Sequence, residues 1–154
     1  MYFCIVFYMI LKSKAIVLRS LKFGDSSLII DMFTELEGRI SFITRIPKTA
    51  KGKIKKQYFQ PLTLLDLEFD YHPRTSLQRI KEVRILRPYG SIPFDPVKSA
   101  ILLFLSEFLY YVTRGEQQNA HLYNYICASM EWLDEAEHDY ANFHLVFMMR
   151  LSRF

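Results

Sequence analysis

Near Pro88 the chain changes its hydrophobic rhythm. Before that point apolar residues come in short β-branched runs or alternate with polar ones; beyond it they recur at helical spacing. Ser13 to Ser20 carries Ile16, Val17 and Leu18, and Phe23-Gly24-Asp25 follows as a turn. Ser27 to Thr34 is a second apolar run, closed by a turn over Glu35 to Gly38. In Arg39 to Arg45, Ile40 and Phe42 point one way while Arg39, Ser41 and Arg45 point the other, as in a half-buried strand with a basic outer face. Leu62 to Asp70 sets Leu65, Leu67 and Phe69 against Asp66, Glu68 and Asp70. Leu77 to Leu86, after the His72-Pro73-Arg74-Thr75 turn, alternates impurely and has room for a bulge. Five short strands with turn signals about every 8 to 12 residues predict a small barrel or sandwich.

One connection is longer than the rest, Ile46 to Phe59 between the third and fourth strands. A five-stranded Greek-key barrel, the OB-fold, has its extra helix or long loop at that place, so an OB-fold barrel is expected over residues 13–88, with helix around Lys53 to Phe59. An all-helical domain is expected over 96–154. Asp95-Pro96 is a helix start, an N-cap followed by proline at the first helical position. Val97 to Arg114 is apolar nearly all round, which predicts a buried helix ending at Gly115. A second helix is expected from about Asn119 to Ala136 and a third from about Asp139 to Phe154. That last helix is very apolar and has no C-cap, so the helical domain is expected to be incomplete.

Charge divides along the same line. Residues 1–90 hold 16 Lys/Arg and 8 Asp/Glu, whereas 91–154 hold 4 and 8. The basic half suits a polyanion. No acidic residue lies between Glu37 and Asp66, a stretch that contains Arg39, Arg45, Lys48, Lys51, Lys53, Lys55 and Lys56. Lysines on a loop reach phosphates without fixed geometry, and each phosphate they neutralise releases counterions. Against this stands the simpler reading of a solvated loop. Phe23 and Tyr58 are candidates for stacking on bases, whereas Phe42 and Phe59 are expected in the core.

Catalysis is poorly supported. The chain lacks a glycine-rich phosphate loop, a nucleophile elbow and a His-x-x-x-His helix. The cluster Asp134, Glu135, Glu137, His138 and Asp139 matches no standard ligand spacing and reads as a polar turn, so neither metal nor other cofactor is expected. Cys4 and Cys127 are far apart and read as free thiols in a reducing compartment. Tyr110, Tyr111, Tyr123, Tyr125 and Trp132 either pack within the helical unit, the favoured reading, or build a protein interface. Residues 1–11 form an uncharged apolar extension without a basic leader and too short to span a bilayer. Translation is expected to start at Met9, and no membrane is expected as a partner.

The stretch KAIVLRSLKFGDSSLIIDMFTELEGRISFITR, Lys14 to Arg45, resembles the opening of the RecO family of recombination mediators. The resemblance rests on Lys14 to Leu18, on Gly24 to Ile29, and on Phe33 to Gly38. It continues through Gln60-Pro61-Leu62 and, more loosely, through RILRPYGSIPFDPVKSAILLFLSEFL. The Pro-Tyr-Gly-Ser-Ile-Pro linker and the last two helices are similar to those of Bacteroidetes members. The resemblance implies a non-enzymatic, cytoplasmic bacterial DNA-repair protein with an N-terminal OB barrel and a C-terminal helical domain. Such a protein binds and anneals single- and double-stranded DNA, contacts RecR and the single-stranded-DNA-binding protein, and helps load RecA on gaps. It also adds Arg19 and Lys22 to the candidate DNA contacts. Three departures are evident. Ile46-Pro47-Lys48 replaces the Gly-Ala-Arg common in relatives, which leaves the path of the loop open. The four-cysteine zinc site of many relatives has no counterpart, and relatives are usually longer. An OB-type RNA-binding protein and a pure interaction scaffold are the alternatives from the residues alone.

Overall fold

A computed structural model describes residues 9–49 and 51–154. Five strands, β1 (Met9–Phe23), β2 (Ser27–Thr34), β3 (Gly38–Arg45), β4 (Leu64–Tyr71) and β5 (Leu77–Arg87), close into a barrel in the order β1-β2-β3-β5-β4. Three helices follow, α1 (Pro96–Val112), α2 (Ala120–Glu135) and α3 (Phe143–Leu151). This is the β-then-α architecture expected, with the long connection between β3 and β4 where an OB-fold carries its insertion.

β1 closes the ring by serving two neighbours. Met9 to Ile16 pairs with β4 and Ala15 to Phe23 pairs with β2, with a bulge between Val17 and Arg19. The strand therefore runs beyond the Ser13–Ser20 expected from its apolar residues, because backbone pairing continues where side chains no longer alternate. Met9 to Leu11, assigned from sequence to the apolar extension, instead pair with Tyr71 to Phe69. Met1 to Tyr8, including Cys4, lie outside the described residues. β5 departs from regular register opposite Leu64/Leu65 and Glu68/Phe69, as its impure alternation allowed.

The run Ala15-Ile16-Val17-Leu18 is apolar throughout because both faces of β1 are buried. Ala15 and Val17 join Ile30, Met32, Phe42, Phe59, Leu67 and Phe69 inside the barrel. Ile16 and Leu18 face outward and join Phe33, Leu62 and Leu64 in a second core built with α1 and α2. Barrel and helices thus share apolar packing. Ser106 in α1 donates to the Leu18 carbonyl across the seam. Gly38 lies against the segment after α1 so closely that a Cβ there would meet the Gln117 backbone at 2.5 Å, and its φ of +72° also favours glycine. Leu62, fully buried, adopts a left-handed φ of 56°. Its N–H donates to the Val17 carbonyl at 2.7 Å and its own carbonyl accepts from the Tyr89 hydroxyl. Neighbours on both sides hold this costly conformation.

The helices depart from expectation in two respects. Asp95 caps α1 as predicted, accepting from the Val97 and Lys98 N–H groups. However, α1 is not buried all round: Leu105 and Leu109 are core, while Leu103, Phe104 and Tyr111 are about half exposed. A helix covered on one side only has an apolar outer face that sequence periodicity cannot distinguish from an inner one. α3 starts at Phe143 rather than near Asp139, whose φ of 61° breaks the helical path. Within the helical unit Tyr123 is buried, Tyr125 stacks on Phe147 and Phe154, and Trp132 stacks on Phe143, so these aromatics mainly pack internally.

Candidate nucleic-acid interface

The barrel register gathers most of the basic candidates at one end, Arg19 and Arg39 excepted. Phe23 pairs with Ser27, and Ser27 pairs with Arg45 on its other side. Ile46 then donates its N–H to the Ser26 carbonyl, which anchors the start of the connection beside the β1–β2 turn. The connection folds on itself: a Cβ at Gly52 would meet the Pro47 ring at 2.4 Å, so Gly52 lies flat on Pro47. The chain returns through a short 3-10 turn, Lys56–Phe59, whose Phe59 fills the barrel interior and whose carbonyl accepts from Ser20 of β1 at 3.2 Å. The helical expectation for Lys53 to Phe59 is met only by this single turn. Lys22, Phe23, Arg45, Lys48, Lys51, Lys53, Lys55 and Lys56 are all exposed around this end. Among the described residues none of these cations is in an ion pair. Lys48, Lys55 and Lys56 line an open cleft of about 330 Å³ with Ile46, Ile54 and Gln57.

The two stacking candidates separate. Phe23 is 56% exposed at the strand end. Tyr58 is half-buried against the barrel core, which leaves less of its ring open than that of Phe23.

Arg19 and Arg39 stand elsewhere. Arg39 leaves β3 toward the helices, and its guanidinium donates to the Tyr110 carbonyl at 2.7 Å and to Thr113 Oγ1 at 3.2 Å. It also lies 4.5 Å from the centre of the Tyr110 ring. Burial lowers its pKa, opposed by Asp31 and Tyr110. Arg19 pairs with Asp31 at 3.7 Å and covers the same ring at 4.0 Å. The basic outer face of β3 read from the alternation is therefore, at Arg39, a strut between barrel and helix. The seam has a second polar anchor that the sequence reading took for a turn. The Asp134 carboxylate accepts from the N–H groups of Gly90, Ser91 and Ile92. Burial disfavours its charge, but these donors prevail and hold it below the ordinary carboxylate range. Lys98, buried beside it, donates to Ser91 Oγ and to the Ala136 carbonyl. No feature of spacing marks Asp134 or Lys98 in the sequence, since the linker that Asp134 binds and the Ala136 carbonyl that Lys98 meets lie about 40 residues from them.

Among the described residues no group of His, Cys, Asp and Glu could hold a metal, and no helix is long and apolar enough to cross a membrane. Cys127 is a free thiol, pushed up to about 11 chiefly by burial.

Two family models match consecutive parts of the chain, recombination protein O N terminal over residues 9–89 and recombination protein O C terminal over 93–154. The chain belongs to the RecO family. Curated relatives in this family are named DNA repair protein RecO. That of Bacteroides fragilis is 52% identical over 95% of this chain and 60% of its own length. That of Phocaeicola vulgatus is 44% identical over 95% and 61%, and that of Flavobacterium psychrophilum 36% over 94% and 60%. The chain thus spans about 60% of the length of these RecO relatives. The RecO N-terminal match covers the whole barrel, β1 included from its first described residue, together with the lysine connection.

Proposed function

We propose that this chain is a non-enzymatic DNA-repair mediator that binds DNA through the lysine-bearing end of its barrel. The observation that carries the reading is the connection itself: five exposed lysines, Lys48, Lys51, Lys53, Lys55 and Lys56, without acidic neighbours in sequence or ion-pair partners among the described residues. Exposed ammonium groups on a folded loop neutralise phosphates and lessen the repulsion between two strands, so that base pairing can anneal them. No bond to substrate is made or broken. RecO membership supports the further expectation that the protein works in the bacterial cytoplasm with RecR and the single-stranded-DNA-binding protein to load RecA on gapped DNA.

Fluorescence anisotropy of a labelled single strand of about 30 nucleotides, titrated with salt, tests the DNA step. Five phosphate contacts predict a log-log slope of roughly −3 to −4. Reversing Lys51, Lys53, Lys55 and Lys56 to Glu should abolish most of the binding and flatten the slope. Absence of binding by the unaltered chain at low salt would overturn the proposal. Tighter binding to RNA of matched length would replace DNA repair with RNA handling.

A further inference from the structure

Beyond the lysine end, β1 continues to a cleft of about 280 Å³ between the barrel and α1. Pro61, Leu103, Tyr110 and Tyr111 form its apolar and aromatic walls, and Arg19, Ser106 and Glu107 its polar part. Tyr111 is 58% exposed, and Arg114 lies 5.8 Å from the centre of its ring and 5.9 Å from that of Tyr110. Arg19 and Arg39 approach the Tyr110 ring as well, so three guanidinium groups surround one tyrosine. Arg39 is occupied by the Tyr110 carbonyl and Thr113, while Arg19 and Arg114 are exposed. The cleft adjoins the basic end directly. Ser20, one of its lining residues, bonds to Phe59 in the turn that carries Lys56, and Pro61 follows two residues later.

We propose that this cleft takes an unstacked nucleobase of the single strand held by the lysine connection, with Tyr111 as the stacking surface and Arg19 and Arg114 on the flanking phosphates. This rests on the DNA-binding reading above. The chemistry favours a base over a bare phosphate. Arg19 and Glu107 offset each other in the lining, and a bare phosphate would gain nothing from the apolar walls, whereas a base has a π-face for tyrosine and N–H donors for Glu107. A duplex keeps its bases stacked, so the cleft selects single strands. The strand path would then cross from the barrel onto the first helix, and the seam between them would be part of the binding surface.

The test compares intact and abasic single strands of about 20 nucleotides with the full chain and its Tyr111→Ala, Tyr111→Phe and Lys51/53/55/56→Glu variants. Tyr111→Ala should weaken intact-strand binding by roughly 5- to 150-fold, the range of one base–aromatic stack. It should leave abasic-strand affinity and the salt slope unchanged, and Tyr111→Phe should retain binding. Melting curves exclude misfolding as the cause. If lysine reversal abolishes binding while Tyr111→Ala leaves intact-strand affinity unaltered, the cleft assignment falls and the DNA reading stands. If the unaltered chain binds neither strand, both fall.

Discussion

The lysines of the β3–β4 connection and the arginines on the outer face of the barrel have the same charge and opposite surroundings. Lys48 to Lys56 face water on a loop whose own fold depends on Gly52 against Pro47 and Phe59 in the barrel. Arg39 faces a helix, where its Nη1 meets a carbonyl and a hydroxyl and its guanidinium lies over an aromatic ring. Both regions carry positive charge, but the connection lysines have no ion-pair partner among the described residues, whereas Arg39 is engaged by Tyr110 and Thr113. The choice of residue agrees with this division. An ammonium on a flexible stem serves loose phosphate contact, while a planar guanidinium with fixed donors serves a seam. Arg19 stands between the two, tied to Asp31 and Tyr110 yet exposed where it lines the cleft.

Changing each region in turn, with both binding and stability measured, separates the two roles. Reversing the four connection lysines should reduce single-strand affinity by more than about 100-fold at low salt, since most of the phosphate contacts are lost. It should move the melting temperature by no more than about 2 °C, as exposed loop charges contribute little to stability. Arg39→Ala should do the converse. Loss of two hydrogen bonds and a cation–π contact, with the Tyr110 carbonyl left unpaired, should cost about 2–3 kcal/mol in urea unfolding, with binding little changed. If Arg39→Ala instead leaves stability intact and lowers affinity, the strut is a DNA contact.

Asp134→Asn should cost about 1–2 kcal/mol by weakening the charge-assisted bonds to the linker. The sign of its pH dependence follows from its lowered pKa. The stabilisation is fully present above the ordinary carboxylate value, and it is lost as pH falls through the lower value of the folded state. The unaltered chain should therefore lose more stability than the Asn variant below about pH 4. Tyr89→Phe, which removes only the hydroxyl bonded to the Leu62 carbonyl, should cost about 1 kcal/mol. A neutral result there would mean that the bond to Val17 and packing suffice to hold Leu62 in its left-handed conformation.

Much of the barrel was legible from sequence because strand alternation is a local property. Phe42 and Phe59 were expected in the core and are buried there. The ends of β1 were missed because the pairing of Met9 to Leu11 with Tyr71 to Phe69 leaves no mark in either segment alone. α1 was misjudged for a related reason. Leu103 and Phe104 look as buried in sequence as Leu105, and only the position of the barrel decides which face is covered. From sequence, Tyr110 fits either packing within the helical unit or a protein interface. It is the ring on which the arginines converge, and its partner Arg39 lies 71 residues earlier.

Local residue pattern is enough to specify the succession of strands and helices, the place of the long connection and its lack of acidic residues. Periodicity, turn residues and charge runs are written in neighbouring residues, so no distant contact can erase them. Tertiary structure alone decided which cations remain available. Whether a guanidinium meets water or a tyrosine from another element depends on how two cores pack across β1, and that packing brings Arg19, Arg39 and Arg114 around one ring.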